Sequence, residues 1–69
     1  MNSENKEYYR DVFANYPDVV NVEQMSEMLG ICTRTAYQLL KSGAVKHIKI
    51  GRFYKVPKWN IIIYLLKSN

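Results

Sequence analysis

Two short helical periods separated by only three residues constrain this chain more than any other feature. Asn21 precedes Val22-Glu23-Gln24, so a side chain able to accept from free backbone amides is followed three positions on by one able to return the bond. Val22, Met25, Met28 and Leu29 then recur at helical spacing as far as Gly30, which closes a helix at low cost by taking the left-handed backbone conformation. A second period begins around Thr33 and runs to Lys41, before Ser42-Gly43. A link this short that opens on glycine turns the chain sharply, so the two helices cross and share one core.

That arrangement is the helix-turn-helix pattern, and the second helix shows which side would face outward. At about 100° per residue, Ala36, Leu39 and Leu40 fall on one face, while Arg34, Gln38 and Lys41 fall on the other, flanked by Thr35 and Tyr37. The outer face carries long hydrogen-bonding side chains and no acid. Arg pairs with guanine O6 and N7, Gln with adenine N6 and N7, and hydroxyl groups such as those of Thr33, Thr35 and Tyr37 bind phosphate. Arg34 and Gln38 are therefore the candidate base readers. An ordinary solvated helix face is the alternative for this helix taken alone.

After Gly43 the periodicity changes from helical to alternating. Ile48 and Ile50 are expected on the core side with Lys49 opposite, Gly51-Arg52 at a hairpin tip, and Tyr54 and Val56 alternating with outward Phe53 and Lys55. A basic ribbon beside a helix-turn-helix can lie along the adjacent minor groove, so Lys49, Arg52 and Lys55 join the candidate DNA contacts, with Arg52 as the groove inserter. Phe53 is apolar yet outward, and is expected to pack against the N-terminal segment, with stacking on bases as the alternative.

Pro57 suits the first position of a final helix spanning Lys58 to Lys67. Ile61, Tyr64 and Leu65 share the face that such a domain would bury, while Trp59, Ile62, Ile63 and Leu66 share the opposite one. A helix apolar on both sides needs cover on both sides. Two covers are available: the stripe Tyr9, Val12, Phe13 and Tyr16 of an N-terminal helix over Ser3–Asn15, capped by Ser3 and broken at Pro17, or a docked protein such as a second copy of the chain.

Charge is divided along the chain. All six acids lie within residues 1–31, whereas eight of the ten Lys and Arg lie within residues 32–69, an acid-free basic half that suits a polyanion. With 69 residues and 48% apolar composition, one folded domain is expected, residues 1–18 forming a helical extension and 21–66 the core. One cysteine, Cys32, and one histidine, His47, provide neither a disulfide nor a zinc quartet, so no metal or cofactor is expected. No run is long and apolar enough to span a bilayer and no signal-like start is present, so a cytoplasmic, non-membrane protein is expected. The acid-free half also lacks a base and nucleophile constellation, which argues against an enzyme.

From Asn21 to about Leu65 the chain resembles the excisionase-like helix-turn-helix family, whose fold is the MerR-like winged helix. The residues carrying the resemblance are Val22-Glu23-Gln24-Met25-Ser26-Glu27-Met28-Leu29-Gly30, Thr35-Ala36-Tyr37-Gln38-Leu39-Leu40-Lys41-Ser42-Gly43 and Ile48-Lys49-Ile50-Gly51-Arg52-Phe53-Tyr54-Lys55-Val56-Pro57. The resemblance implies a mainly α fold with a small β-hairpin, a second helix in the major groove, a wing on the flanking minor groove, and a role in mobile-element excision or transcription, with an integrase or recombinase as a further occupant for the outer face of the last helix. Transcriptional regulation of such an element and a protein-interaction adaptor using the last helix are the competing functions. Two positions depart from the family pattern: Cys32 stands where a Ser-like cap is common, and Phe53 where a further basic residue is usual.

Overall fold

Asn21 and Gln24 form the reciprocal cap that their spacing implies. The Gln24 backbone N–H donates to Asn21 Oδ1 at 2.8 Å and the Asn21 N–H donates to Gln24 Oε1 at 3.0 Å. In this computed structural model, which describes residues 3–67 with side chains from Glu7 onward, the capped helix is the second of four. The order is α1 (Ser3–Val12), β1 (Val19–Val20), α2 (Val22–Leu29), α3 (Thr33–Ser42), β2 (Ile48–Ile50), β3 (Phe53–Pro57) and α4 (Lys58–Lys67). The cap expected at Ser3 lies outside the described side chains.

Gly30 closes α2 with φ 68° and ψ 34°. Its own N–H reaches the Glu27 carbonyl and the Ile31 N–H reaches that of Ser26 at 3.0 Å, so the last carbonyls are satisfied while the chain turns into α3. Ala36 and Leu40 of α3 are buried against Met25 and Met28 of α2 in one core cluster, which also takes in Val45, Val56 and Ile61. α1 stops at Val12, short of the expected Asn15. Beyond it, Ala14 N–H bonds Asp11 O and Tyr16 N–H bonds Phe13 O, three-residue closures that tighten the chain before Pro17.

Alternation after Gly43 suggested a two-stranded hairpin, whereas the sheet has three antiparallel strands in the order β1-β3-β2. The short β1 segment carries too few residues for a periodic signal. It joins through Val20 opposite Val56, both fully buried. Pro57 ends β3 opposite Val19 rather than opening α4. The first amide of α4, on Lys58, donates to Asp18 O at 2.7 Å.

The hairpin faces differ from expectation. Ile48 and Ile50 do not reach the core; each is 60% exposed. The cause lies in the register: Ile50 pairs with Phe53 and Ile48 with Lys55, and residues directly opposite in an antiparallel pair project from the same face. A two-residue turn therefore places both isoleucines beside the outward Phe53 and Lys55, and sets Lys49 with Tyr54 on the other face. Phe53 does not pack on the N-terminal segment either, being 61% exposed.

On α4, Ile62 and Leu66 are buried together with Ile61, whereas Tyr64 and Leu65 are only partly buried. Ile62 and Leu66 are thus core residues rather than an open partner surface. Ile63 is half-buried and Trp59 is 37% exposed. The cover comes from the chain itself: Phe13 belongs to the same cluster, and Tyr9 and Tyr16 pack against it. Tyr9 stacks on Phe13 with ring centroids 6.0 Å apart, and Phe13 meets Tyr16 edge-on at 6.1 Å. Lys58 fastens this cover, its Nζ donating to Phe13 O at 3.2 Å and to Tyr16 O at 2.9 Å.

Candidate nucleic-acid interface

Amphipathic phase alone turns one face of α3 outward, because Ala36 and Leu40 are anchored in the core. Thr33, Arg34, Tyr37, Gln38 and Lys41 line a single open groove along that face. Thr35 is not among them. It is half-buried, and its Oγ1 lies 3.3 Å from Cys32 Sγ.

A second groove adjoins the first and shares Tyr37 with it. Its lining includes Arg52, Phe53 and Tyr54 of the hairpin, with Asn21, Val22 and Glu23 at the start of α2. The Tyr37 and Tyr54 rings meet edge-on at 5.6 Å, which fixes the hairpin against α3. His47 completes this aromatic group, its ring 5.2 Å from that of Tyr54 and its Nδ1 2.9 Å from Val45 O. Tyr54 was legible only as a strand residue. Its role as the joint between α3 and the hairpin depends on a contact across 17 positions of sequence, for which no local pattern exists.

The hairpin cations divide between the faces. Lys49 lies on the Tyr54 side, its Nζ 5.3 Å from that ring, and Lys55 lies on the outer side opposite Ile48. Arg52 sits at the tip with its guanidinium 5.6 Å from the Phe53 ring centroid. The tip depends on Gly51 at φ 61° while Arg52 keeps a negative φ, the disposition of turns with glycine at the first central position. Among the described residues Glu23 is the single acid lining either groove. Lys58, by contrast, is committed to the Phe13 and Tyr16 carbonyls just beyond α1 and takes no part in this surface.

Cys32 precedes α3 as its cap residue but makes no side-chain capping bond. The Thr35 hydroxyl, ahead of the backbone amides opening the helix, holds its thiol below the ordinary value. The cysteine is exposed, yet it lines neither groove.

Two helices packed on one core and joined by a short glycine turn, the second presenting a polar, acid-free face, define a DNA-binding helix-turn-helix protein. Residues 19–68 match the family model described as a helix-turn-helix domain, and the chain belongs to that family. Neither a curated protein nor a solved structure gives a significant match. Among the described residues no helix is long and apolar enough to cross a membrane.

Proposed function

We propose that this chain is a sequence-specific accessory protein of excisionase type, a recombination directionality factor that binds double-stranded DNA at the end of a mobile element. It shapes that DNA for a separate recombinase and has no catalytic role of its own. The observation that carries the proposal is the continuity of the α3 groove with the hairpin through Tyr37 and Tyr54. One continuous surface then offers Arg34 and Gln38 to base edges in the major groove, Lys41, Tyr37 and Thr33 to phosphates, and Arg52 to the flanking minor groove, with the hairpin acting as a wing. Thr35, turned toward Cys32, supports the helix start instead. Regulation of the element's own transcription would use the same surface. The adaptor reading loses support, because Ile62 and Leu66 are covered by the N-terminal segment. Cytoplasmic action and contact with the recombinase belong to this proposal.

Selection from a random-core duplex library followed by salt titration tests it. Specific affinity is expected to fall steeply with salt, since each neutralised phosphate releases counterions. On the selected duplex Gln38→Ala should cost about 1–3 kcal/mol and relax preference at one base pair, whereas Lys41→Ala should weaken selected and random DNA alike. An unchanged ratio of specific to random affinity in both Gln38→Ala and Arg34→Ala would remove α3 as the reader.

A further inference from the structure

The outer side of the hairpin tip plays no part in the helix-turn-helix scheme. Ile50 and Phe53 form the last pair before the turn, and both side chains stand in solvent at 60% and 61% exposure. Such a paired apolar tip is unfavourable in water and is not needed for phosphate contact, which a polar residue would serve better. The N-terminal segment, the one part of the chain expected to cover it, is held on α4 by Lys58.

The hairpin around the tip suits an anionic occupant, Glu23 of α2 being the one acid that lines the adjoining groove among the described residues. The Arg52 guanidinium stands over the Phe53 ring, Lys55 shares its face, Lys49 flanks the other face, and residues 32–69 contain no acid. The tip is also held in place by the fold. A two-residue turn closes it, β3 is held between two strands with Val56 fully buried, and Tyr54 is locked against Tyr37 of α3. Phe53 lines the same groove as Tyr37, so it lies at the edge of the surface assigned to DNA.

We propose that Phe53, backed by Ile50, is a wedge that enters the minor groove and partly unstacks one base step, while Arg52 holds the flanking backbone. Apolar side chains flanked by cations kink duplexes in this way, and pyrimidine–purine steps yield most readily. The inference rests on the DNA-binding reading above and gives it a means of bending. It also explains an aromatic residue at a basic tip.

The test uses the full chain and a duplex selected from the random-core library, with a fluorescent adenine analogue placed at successive positions and donor and acceptor dyes at the ends. Wild type should brighten the analogue at one step and shorten the end-to-end distance. Phe53→Ala should abolish the brightening, reduce the shortening and lower affinity for that duplex about tenfold, as expected for loss of one base–aromatic stack, while its salt slope stays the same. Phe53→Leu should restore much of the bend. Because the ring is exposed, melting of both variants should match wild type. Wild type that binds with the expected salt slope but brightens no position, or Phe53→Ala that brightens and bends like wild type, would overturn the wedge alone. Loss of a dimer in Phe53→Ala, seen by sedimentation without DNA, would assign the tip to a second copy of the chain and overturn it too. Absence of any duplex binding by wild type would overturn the DNA-binding reading and the wedge together.

Discussion

Helix α4 and the β2–β3 hairpin are both rich in isoleucine, yet they meet opposite fates. Ile62 is 1% exposed and Ile50 is 60% exposed. Both project from the side of their element that a minimal helix-turn-helix core would leave uncovered. The α4 side is covered because Phe13, Tyr9 and Tyr16 fold back over it, anchored by the Lys58 ammonium on two carbonyls. No equivalent segment covers the outer side of the hairpin among the described residues. Apolar character therefore marks where cover is favourable, and whether a surface obtains it depends on a segment tethered within reach.

The largest test of this contrast is a matched pair of truncations. Ile62→Ala should cost about 2–5 kcal/mol, as lost contacts add to a cavity, whereas Ile50→Ala should stay within about 0.5 kcal/mol, as exposed substitutions do. Denaturant melts would break the comparison if the two losses were equal. The anchor comes next. Lys58→Met keeps much of the side-chain length but removes both bonds to the Phe13 and Tyr16 carbonyls, and should cost about 1–3 kcal/mol. It should also raise hydrogen exchange in α1 ahead of α2 and α3; uniform exchange across all helices would show that Lys58 does not act through the cover.

The smallest effect is one of pH. Tyr16 donates its hydroxyl to Glu27 Oε1 at 3.1 Å, and desolvation, followed by that hydrogen bond and the Glu27 charge, holds its pKa above the ordinary value of 10.0. A group whose folded pKa is raised contributes stability that is fully present below its unfolded value and is lost as pH rises through the folded one. Stability should thus decline above about pH 10 as the phenolate forms beside the carboxylate. Tyr16→Phe should remove that part of the alkaline loss. Identical alkaline profiles of the two proteins, followed by melting temperature, would exclude the contact as a contributor.

Local rules made much of the molecule legible. The Asn21 and Gln24 pair, the stop at Gly30 and the outward set Arg34, Gln38 and Lys41 each depend on residues within a few positions of one another, and the structure has the cap, the turn and the groove where those rules put them. The hairpin faces depart from simple alternation although the deciding fact is local: a two-residue turn forces Ile50 and Phe53 to one side, so one cannot point inward while the other points outward. Strand β1 left no trace, since Val19–Val20 is too short to show a period and acquires its role only by meeting β3.

Thus the sequence by itself determined the crossed helices, the polar face of α3, the two-residue tip and the division of charge, because capping, helical phase, turn geometry and charge are properties of neighbours along the chain. Tertiary structure decided the third strand, the burial of Ile62 and Leu66 beneath the N-terminal segment, the assignment of Lys58 to carbonyls instead of the basic surface, and the Tyr37–Tyr54 joint. Each of these depends on which distant surfaces meet, and no periodicity within one element specifies the segment that will cover it.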